Sequence, residues 1–519
     1  MTYVLEEVSG IGKATADRLR ASGIDTVEKL ASITQEALTQ LKIKGVGEST
    51  ALRYIKNAQK LIKEKSSYPE LKKKDKPLKQ EKPQKPGPTQ KVKPSKGSNL
   101  KDLIKKQAEC NIGLVGHVDH GKTTLVKALT GDWTDRHSEE QERGISIKLG
   151  YSNATILHCP ECDEYLTYYM SETARKKGKP RFACPACSST LEFKRNISFV
   201  DAPGHEILMA TMLSGASLMN GACLLVSADE VCPQPQTREH LAALNIAGIN
   251  KIIIIQNKID AVSKKQALEN YEQIKAFVKG TVADKAPIIP VSAVFGANLG
   301  LVVRAFEEII PSPNISEEDE FQFLVARSFD INRPGTKINE LNGGVIGGSV
   351  LKGKVKVGED IEIRPGIRVK NKYSPLKTQI ISISQGNNFL DDAKPGGLIG
   401  LGTKLDPALT KGDSLIGHLV GRPDTLPEVI SEVELEVKLL ERVLGSEVQM
   451  KVQQLKHNEK LLLVVGTEKT AGIVVKILKS SYILNLNPPI CAPANSIFAI
   501  SRIINRRYRL IGYGKEFIK

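Results

Sequence analysis

The spacing of hydrophobic residues changes along the chain, and each spacing predicts a different kind of structure. Between about 108 and 313, apolar runs such as 112–115 and 222–227 have the length of buried strands, and an amphipathic helical segment follows the first. From residue 321 onwards, short alternating runs such as 354–363 are broken by Gly and Pro. The first pattern predicts an α/β domain, and the second predicts two antiparallel β-barrels.

A repeated glycine motif marks the N-terminal segment 1–62. The pattern G-h-G (h, hydrophobic) at 10–12 recurs at 45–47, before an apolar run in each copy. The runs contain Ala16, Leu19 and Arg20 in one copy and Ala51, Leu52 and Ile55 in the other. The unit resembles the tandem helix-hairpin-helix modules of DNA repair proteins, in which helix N-termini meet phosphates. A protein-binding helical module is the alternative that stays open.

The segment from 63 to 107 has the composition of a disordered tether. Between Lys63 and Leu100 there are 12 lysines and four acidic residues, a net charge of +8, with prolines interspersed. Such a stretch buries too little apolar surface to offset the entropy lost on ordering it. We therefore expect an extended basic linker that contacts a polyanion or, as the alternative, is only a solvated spacer.

Length, net charge and cysteine content limit the classes of protein to which this chain can belong. At 519 residues the chain is too long for one core, and its net charge of +16 favours a polyanionic partner such as nucleic acid. No apolar run approaches the roughly 18 residues of a membrane span, and the N-terminus lacks the features of a signal peptide. Eight cysteines without a disulfide pattern suit a reducing cytosol. We expect a cytoplasmic protein without membrane contacts.

Residues 116–123 fit the P-loop pattern G-x-x-x-x-G-K-S/T between an apolar strand and a helix. The glycines let several backbone N–H groups face one phosphate. Lys122 is predicted to reach the β- and γ-phosphates and to act in catalysis, and the Thr123 hydroxyl to bind Mg²⁺. The other nucleotide contacts predicted in this loop are Asp119, His120, Gly121 and Thr124. A glycine-rich turn with a chance lysine is the alternative.

Two further motifs follow in the order that a GTPase needs. In the sequence R-G-I-S-I, Ser146 offers a hydroxyl to Mg²⁺ where such enzymes usually have Thr. In the following D-x-x-G motif, Asp201 can hold Mg²⁺ through water, and the Gly204 N–H can bond the γ-phosphate. His205 comes next, where the attacking water is positioned, and we predict a catalytic role for it rather than that of a core histidine.

Two loops predict recognition of guanine. The motif N-K-x-D follows an apolar strand, and its Asp260 can accept hydrogen bonds from guanine N1–H and N2–H₂ together, which adenine cannot supply. Asn257 and the stem of Lys258 complete the base pocket, and Ser292 and Ala293 close it from the last loop. In this order, the motifs specify GTP over ATP.

Two C-x-x-C pairs, at 159–162 and 184–187, predict a zinc ribbon inserted at 159–187. Four thiolates complete a tetrahedron around Zn²⁺ with no open position, so the site is predicted to be structural. The predicted ligands are Cys159, Cys162, Cys184 and Cys187. Four free thiols are the alternative. The remaining cysteines, which lack such spacing and are interpreted as ordinary residues, are Cys110, Cys223, Cys232 and Cys491.

Taken together, the motifs resemble those of translational GTPases of the elongation factor Tu type. Several other stretches and the zinc insertion are similar to the gamma-subunit family of archaeal and eukaryotic translation initiation factor 2. These stretches are 147–151, 232–240, 327–336, 400–407 and 509–514. The resemblance covers about 108–519 and leaves the preceding segment, 1–107, unexplained.

The resemblance implies a GTPase that uses GTP/GDP, Mg²⁺ and Zn²⁺ and carries initiator methionyl-tRNA to the small ribosomal subunit, releasing it after hydrolysis. It implies alpha and beta subunits as partners, and the N-terminal module adds ribosomal RNA or another nucleic acid. The barrels would share the tRNA surface, where Arg502, Arg506, Arg507 and Arg509 either meet phosphates or stay solvated. Three alternatives are a selenocysteyl-tRNA elongation factor, the GTPase subunit of a sulfate-activating enzyme, and a nucleic-acid scaffold with vestigial GTP binding.

The sequence therefore predicts a multidomain chain with an all-α module, an α/β GTPase domain containing a zinc ribbon, and two all-β barrels. The predicted segments are 1–62 (helix-hairpin-helix module), 63–107 (disordered basic linker), 108–313 (GTPase domain), 314–424 (first barrel) and 425–519 (second barrel).

Overall fold

The computed structural model describes residues 11–41, 46–58, 100–132, 150–175, 181–202 and 209–516, apart from residues 12, 23, 25, 48–49, 315, 334, 371, 444–449 and 506. The chain divides into two compact units, residues 1–93 and 94–519. Among the described helices, none has the length and apolar character needed to cross a membrane.

The described part of the first unit is helical. Its helices are α1 Lys13–Ala21, α2 Val27–Ser32, α3 Gln35–Gln40 and α4, residues 50–58. Threonine caps begin two of them: Thr26 Oγ1 accepts from Lys29 N (3.2 Å), and Thr34 Oγ1 accepts from Ala37 N (3.3 Å). The sequence therefore sets where α2 and α3 start.

The internal repeat is visible in the core of this unit. Ala16 of α1 and Ala51 of α4 are both fully buried, and Leu19 and Tyr54, three positions further on in each helix, are buried as well. Leu52, expected in the apolar run, is instead 38% exposed, because positions 51, 54 and 55 already form the inward face of the helix. Half of the six positions of the two G-h-G turns, namely 10, 12 and 45, lie outside the described residues.

The second unit begins with a seven-stranded sheet. Its strands are β1 Cys110–Gly116, β2 Gly150–Cys159, β3 Glu164–Thr167, β4 Glu192–Asp201, β5 Gly221–Ser227, β6 Ile252–Asn257 and β7 Ile288–Pro290. They lie in the order β3-β2-β4-β1-β5-β6-β7, in which β4, β1, β5, β6 and β7 are parallel and β2 and β3 extend the sheet in antiparallel fashion. The parallel strand ends thus meet along one edge, where loop residues converge.

Helices cover both faces of this sheet. They are α5 Leu100–Leu103, α6 Lys122–Thr130, α7 Tyr168–Thr173, α8 Met209–Ala216, α9 Pro235–Ile246, α10 Lys264–Val278 and α11 Leu299–Ile309. Alternate residues of the buried strand β5 belong to two hydrophobic cores, one on each face of the sheet. Leu224 packs with α8, α9 and α10, and Leu225 packs with α6 and α11. Burial on both faces explains why these strands are continuous apolar runs.

Two barrels follow. The strands of the first are β8 Gln322–Phe329, β9 Val345–Lys352, β10 Val355–Lys356, β11 Asp360–Val369, β12 Lys372–Gln385, β13 Asn388–Leu390, β14 Asp392–Ala393, β15 Ile399–Thr403 and β16 Leu419–Gly421. Its sheet, β11-β16-β8-β9-β15-β12-β13, closes through β11–β12 pairing, and β10 pairs with β14.

Single 3₁₀ turns lie at Ile259–Ala261, Ile338–Glu340, Pro407–Leu409 and Lys411–Asp413.

The second barrel is closed in the order β17-β20-β19-β18-β21-β22. Its strands are β17 Ile430–Leu439, β18 Lys460–Val465, β19 Glu468–Ile477, β20 Tyr482–Ile490, β21 Ile497–Ile504 and β22 Arg507–Glu516. With the helical first unit and the α/β sheet, these barrels confirm the predicted fold classes.

The end of the predicted linker is folded, which corrects the expectation of disorder up to residue 107. Residues 100–103 form α5, and the buried Gln107 side chain donates to the carbonyls of Lys394 and Gly396, both at 2.6 Å. Apolar residues at 100, 103 and 104 have helical spacing, and Leu100 packs against the ribbon core. The high lysine content of the preceding segment concealed this pattern.

Side chains connect the sheet and the two barrels within the second unit. Asn111 Nδ2 donates to Ser349 Oγ of the first barrel (3.1 Å), and Lys469 Nζ of the second barrel donates to Thr211 Oγ1 of α8 (2.9 Å). The barrels meet where Thr467 Oγ1 donates to the Val325 carbonyl (2.6 Å). The helix that follows the D-x-x-G segment therefore contacts a barrel directly.

Candidate functional site

The P-loop lies between the end of β1 and the start of α6, and two glycines permit its path. Gly116 has φ +144°, and a Cβ there would lie 2.4 Å from the Leu225 carbonyl oxygen. Gly121, with φ +87°, precedes the helix, and a Cβ there would lie 2.3 Å from Asn257 Nδ2. Any larger residue at either position would push the loop away from its neighbours. The backbone N–H groups of the first turn of a helix have no acceptor within the helix itself, so the start of α6 is suited to bind an anion at the loop.

Lys122 is held inside this loop. Its Nζ donates to the Gly116 carbonyl (3.1 Å) and the His117 carbonyl (2.7 Å), and the residue is buried. The ammonium is therefore fixed beside the same N–H groups that would face a phosphate. This arrangement suits the predicted contact with the β- and γ-phosphates.

Two of the three predicted Mg²⁺ ligands meet. Thr123 Oγ1 donates to Asp201 Oδ2 at 2.8 Å, and Asp201 is fully buried at the end of β4. A hydroxyl and a carboxylate are the hard oxygen donors that Mg²⁺ binds, so this pair fits the ion. The predicted residues Ser146, Gly204 and His205 lie outside the described residues.

The predicted guanine loops also converge. Asn257 Nδ2 donates to the His120 carbonyl (3.0 Å), and Asn257 Oδ1 accepts from Ala293 N (3.1 Å), so one amide connects the P-loop to both base loops. Lys258 has φ +60°, and its Nζ lies 3.3 Å from Asp229 Oδ2. Asp260 is exposed at the 3₁₀ turn, where its carboxylate can reach a base.

A buried histidine outside the motifs supports the P-loop. His240 Nδ1 accepts the hydrogen bond of Gly116 N at 2.8 Å. Burial lowers the pKa of His240 to about 3, so the ring is neutral and Nδ1 remains an acceptor. The preceding residue, Glu239, pairs with Arg509 of β22 at 3.0 Å, with side chains 2% and 11% exposed. One helix therefore connects the P-loop to the second barrel.

Sequence reasoning missed His240, Asp229 and Glu230 as parts of this site. His120 Nδ1 lies 3.0 Å from the Leu225 carbonyl, and its Nε2 lies 3.3 Å from Glu230 Oε2. The stretch 232–240 was noted for its resemblance alone. The sequence offers no signal for His240, because it stands in the polar first half of α9, P-Q-T-R-E-H.

The four predicted zinc ligands come together. Their Sγ atoms all lie within 4.8 Å of one another, and Cys159 and Cys187 Sγ are 3.4 Å apart. A tetrahedral ion with Zn–S bonds of about 2.3 Å places its sulfurs about 3.8 Å apart, so the cluster fits Zn²⁺. The other four cysteines are free and buried.

Two of the four C-terminal arginines neither lie free in solvent nor are available to a phosphate, because they form ion pairs within the fold. Arg502 pairs with Glu459 and donates to the Gln453 carbonyl (3.0 Å), and Arg509 pairs with Glu239. Both side chains therefore hold the fold together, a role that the basic pattern did not reveal. Arg507 is exposed, and Arg506 lies outside the described residues.

Family models match four parts of the chain. They are described as SAM-like helix-hairpin-helix tandem (3–64), elongation factor Tu GTP binding domain (107–312), elongation factor Tu domain 2 (343–416) and initiation factor eIF2 gamma, C terminal (431–516). The nucleotide-binding part is therefore that of a translational GTPase.

Known structures show the fold at low identity. A bacterial selenocysteine-specific elongation factor, EF-Sec, matches with a TM-score of 0.59 and 23% identity, over 79% of this chain and 58% of that one. The elongation factor SelB of Methanococcus maripaludis, in complex with the GTP analogue GppNHp, matches with a TM-score of 0.58 and 21% identity, over 80% of each chain.

Curated relatives match far more strongly. The translation initiation factor 2 gamma subunits of Methanocaldococcus jannaschii and Pyrococcus furiosus are each 54% identical over 413 residues, which are 79% of this chain and 97% of theirs. The chain therefore belongs to the family of translation initiation factor 2 gamma subunits.

Proposed function

We propose that the chain is a GTP-dependent carrier of initiator methionyl-tRNA to the small ribosomal subunit. The identity of 54% over 97% of the length of initiation factor gamma subunits carries this proposal. The convergence of Thr123, Asp201 and Asn257 on the P-loop supports it. With GTP bound, the γ-phosphate and Mg²⁺ order the switch segments and tRNA binds; hydrolysis releases the switches and lowers the affinity for tRNA.

Each site residue has a distinct role in this proposal. Lys122 and the P-loop N–H groups neutralise the phosphates, while Thr123, Ser146 and Asp201 serve Mg²⁺. The other nucleotide-binding residues proposed are Asp119, His120, Gly121, Thr124, Gly204, Asn257, Lys258, Asp260, Ser292 and Ala293. His205 positions the attacking water. Asp260 selects guanine, because its two oxygens accept from two adjacent donors of the base.

Zinc has a structural role in this proposal. Cys159, Cys162, Cys184 and Cys187 supply four sulfur donors, which leave no coordination position for water or substrate. The metal holds the ribbon against the sheet and takes no part in hydrolysis.

We further propose the domain boundaries given above, with the linker shortened to 63–99 because α5 and Gln107 belong to the folded second unit. The carrier works in the cytoplasm, where it meets ribosomes, together with alpha and beta subunits. Its N-terminal module, 1–62, and the basic linker add a contact with RNA, most simply ribosomal RNA.

The decisive experiment compares initiator methionyl-tRNA binding to the purified chain with GTP and with GDP. We expect binding at least tenfold tighter with GTP. Elongator methionyl-tRNA is the matched control, because it carries the same amino acid on a different tRNA body. Equal affinities in the two nucleotide states would contradict the carrier role, and a preference for selenocysteyl-tRNA would favour the alternative of a selenocysteine-specific factor.

A second experiment tests the RNA contact of the N-terminal segment. A chain lacking residues 1–93 should bind GTP and initiator tRNA as before, since relatives of 54% identity match only 79% of this chain. Its association with the small ribosomal subunit should weaken and depend less steeply on salt, because the lysines of the linker no longer release counterions. Unchanged affinity and salt dependence would assign the module to a protein partner.

A further inference from the structure

A cleft of about 180 Å³ lies beside the zinc ribbon, outside the nucleotide and metal centres. Its walls come from the segment after α5, strand β2, helix α7 and the β12–β13 turn. It also borders Thr130, at the C-terminal end of α6, whereas the P-loop is at the other end of this nine-residue helix. Such a helix is about 13 Å long, so the cleft is separate from the bound nucleotide.

Two tyrosines give the cleft a fixed aromatic wall. The Tyr169 ring packs against the backbone of Gly131, where a Cβ would lie 2.5 Å from the ring, and the residue remains 37% exposed. The Arg181 guanidinium lies 5.6 Å from the centre of the Tyr168 ring, and its Nε donates to the Tyr168 hydroxyl at 3.0 Å. A partly exposed ring that is held in place, such as that of Tyr169, is a surface on which an unpaired base can stack.

Amide groups face the same cleft. Asn153 Oδ1 accepts from Ser198 Oγ at 2.6 Å, which leaves its Nδ2 without a partner among the described residues. The Asn388 side chain, across the cleft, likewise has no partner within the described part of the chain. Amides of this kind present a donor and an acceptor to the edge of a base.

The rim of the cleft includes one lysine, Lys106, and two further lysines, Lys101 and Lys105, lie within five residues of it in the chain. Lys101, Lys105 and Lys106 are exposed, and no carboxylate among the described residues lies within ion-pair distance of their ammonium groups. Lys106 itself lines the cleft. In the chain these lysines follow directly on the basic segment 63–99.

We propose that this cleft binds a single-stranded segment of RNA that is not part of the carried tRNA. One base stacks on Tyr169 with its edge on the two asparagines, and the adjoining phosphates lie along the lysines at 101, 105 and 106. A duplex does not fit, because its bases are already stacked and paired. Because the β12–β13 turn of the first barrel also borders the cleft, competition with the carried tRNA decides whether the bound strand is separate from it.

The test uses a fluorescein-labelled ten-nucleotide oligouridine and fluorescence anisotropy, with the full chain and with residues 94–519. Tyr169→Ala should weaken binding at least fivefold, as expected for one lost stacked base. Tyr169→Phe keeps the ring and should stay within twofold of the parent chain. An unchanged affinity of Tyr169→Ala would overturn the proposal.

Charge reversal tests the rim without disturbing packing. Lys105→Glu with Lys106→Glu should weaken binding and lower the salt slope by about 1.4, since each phosphate contact on a single strand contributes about 0.7. The matched control is Lys264→Glu with Lys265→Glu at the exposed start of α10, which should leave both quantities unchanged. GTP binding and zinc content check that each variant is folded. An equal effect of the two pairs would indicate non-specific attraction and contradict the site.

Competition identifies the ligand. Saturating initiator tRNA with GTP should leave the oligouridine bound, whereas its full displacement would assign the cleft to the tRNA site and overturn the inference. Failure of the GTP-dependent tRNA binding itself would contradict only the proposed function, because the oligouridine assay needs no GTP. Uridine monophosphate that binds as tightly as the oligonucleotide would show a mononucleotide pocket instead, which would also overturn the inference.

Discussion

The four-cysteine cluster and the nucleotide site are built in opposite ways. The four cysteines all lie between positions 159 and 187, and short turns such as the Ser188 N–H to Cys184 carbonyl bond (2.9 Å) shape each knuckle locally. The nucleotide site joins residues that are far apart in the chain, such as His120 with Asn257 and Gly116 with His240. A substitution in the ribbon should therefore act locally, whereas one in the nucleotide site can act from a distant element.

This difference also explains why sequence motifs identify some residues of a site and not others. The four cysteines that would bind zinc are also the residues that bring the site together, so their spacing in the sequence describes the site almost completely. A P-loop motif describes the groups that face the ligand but not those that hold the loop from behind, such as His240.

His205→Ala should have the largest effect, slowing single-turnover GTP hydrolysis on the ribosome by about 100-fold or more, the usual contribution of a general acid–base residue. Affinity for GTP and loading of tRNA should stay nearly intact, because His205 contacts the water and not the nucleotide in the proposed role. Hydrolysis at the parent rate would remove His205 from the mechanism.

Asp260→Asn should weaken GTP binding by at least about 2 kcal/mol, or roughly 30-fold, since a charged acceptor for two guanine donors is lost. Titration with a fluorescent GTP analogue measures this change. Xanthosine triphosphate offers a matched control, because its oxygen at position 2 can accept from the new amide and should restore binding. An unaltered GTP affinity would contradict the assignment of the base loop.

His240 should make the nucleotide domain sensitive to acid. Its pKa is about 3 in the folded protein and about 6.5 when unfolded, so below pH 6.5 the unfolded chain binds a proton that the folded chain does not. Stability then falls with pH by about 1.4 kcal/mol per unit, or about 2 kcal/mol at pH 5. Urea unfolding followed by far-ultraviolet circular dichroism measures this loss at pH 7 and pH 5. In His240→Asn the loss should be smaller by that amount.

At neutral pH, His240→Leu should weaken GTP binding about tenfold, because the Gly116 N–H is left buried without an acceptor, at a cost of about 1–3 kcal/mol. His240→Asn places an acceptor near the original Nδ1 and should recover most of the affinity. Equal loss in both variants would point to altered packing of α9 rather than to the hydrogen bond.

The sequence motifs identify the residues proposed to contact the nucleotide, but not the residues that hold the P-loop in place. The P-loop, D-x-x-G and N-K-x-D motifs predict that Lys122, Asp201 and Asn257 meet, and the structure brings them together at one edge of the sheet, because each motif follows a parallel strand. The support of the P-loop by His240 depends on the packing of α9 against β1, which no local pattern encodes. Identification of such a pair requires the tertiary structure.

The distribution of charged residues along the sequence predicted the structure less well than the hydrophobic pattern and the motifs did. The composition of the segment up to residue 107, taken as a whole, is dominated by lysine. This average concealed the helical spacing of the apolar residues at 100, 103 and 104, near the end of the segment. Likewise, the sequence predicted that Arg502 and Arg509 lie on a basic surface, but each forms an ion pair with a carboxylate from another element. Net charge predicts the sign of a partner, but not which cations are already neutralised within the fold.

The smallest effect on nucleotide binding should come from loss of the zinc site. Metal analysis of the parent chain should find one zinc ion per molecule, and Cys184→Ser with Cys187→Ser should release it, because two thiolates cannot complete the tetrahedron. GTP affinity should remain within about twofold, since the ribbon packs near the C-terminal end of α6 and the P-loop lies at its N-terminal end. Cys223→Ser, at a buried cysteine outside the cluster, is the matched control and should retain zinc. A parallel loss of zinc and of GTP binding would contradict the separation of the two centres, and a parent chain without zinc, purified under reducing conditions, would contradict the ribbon.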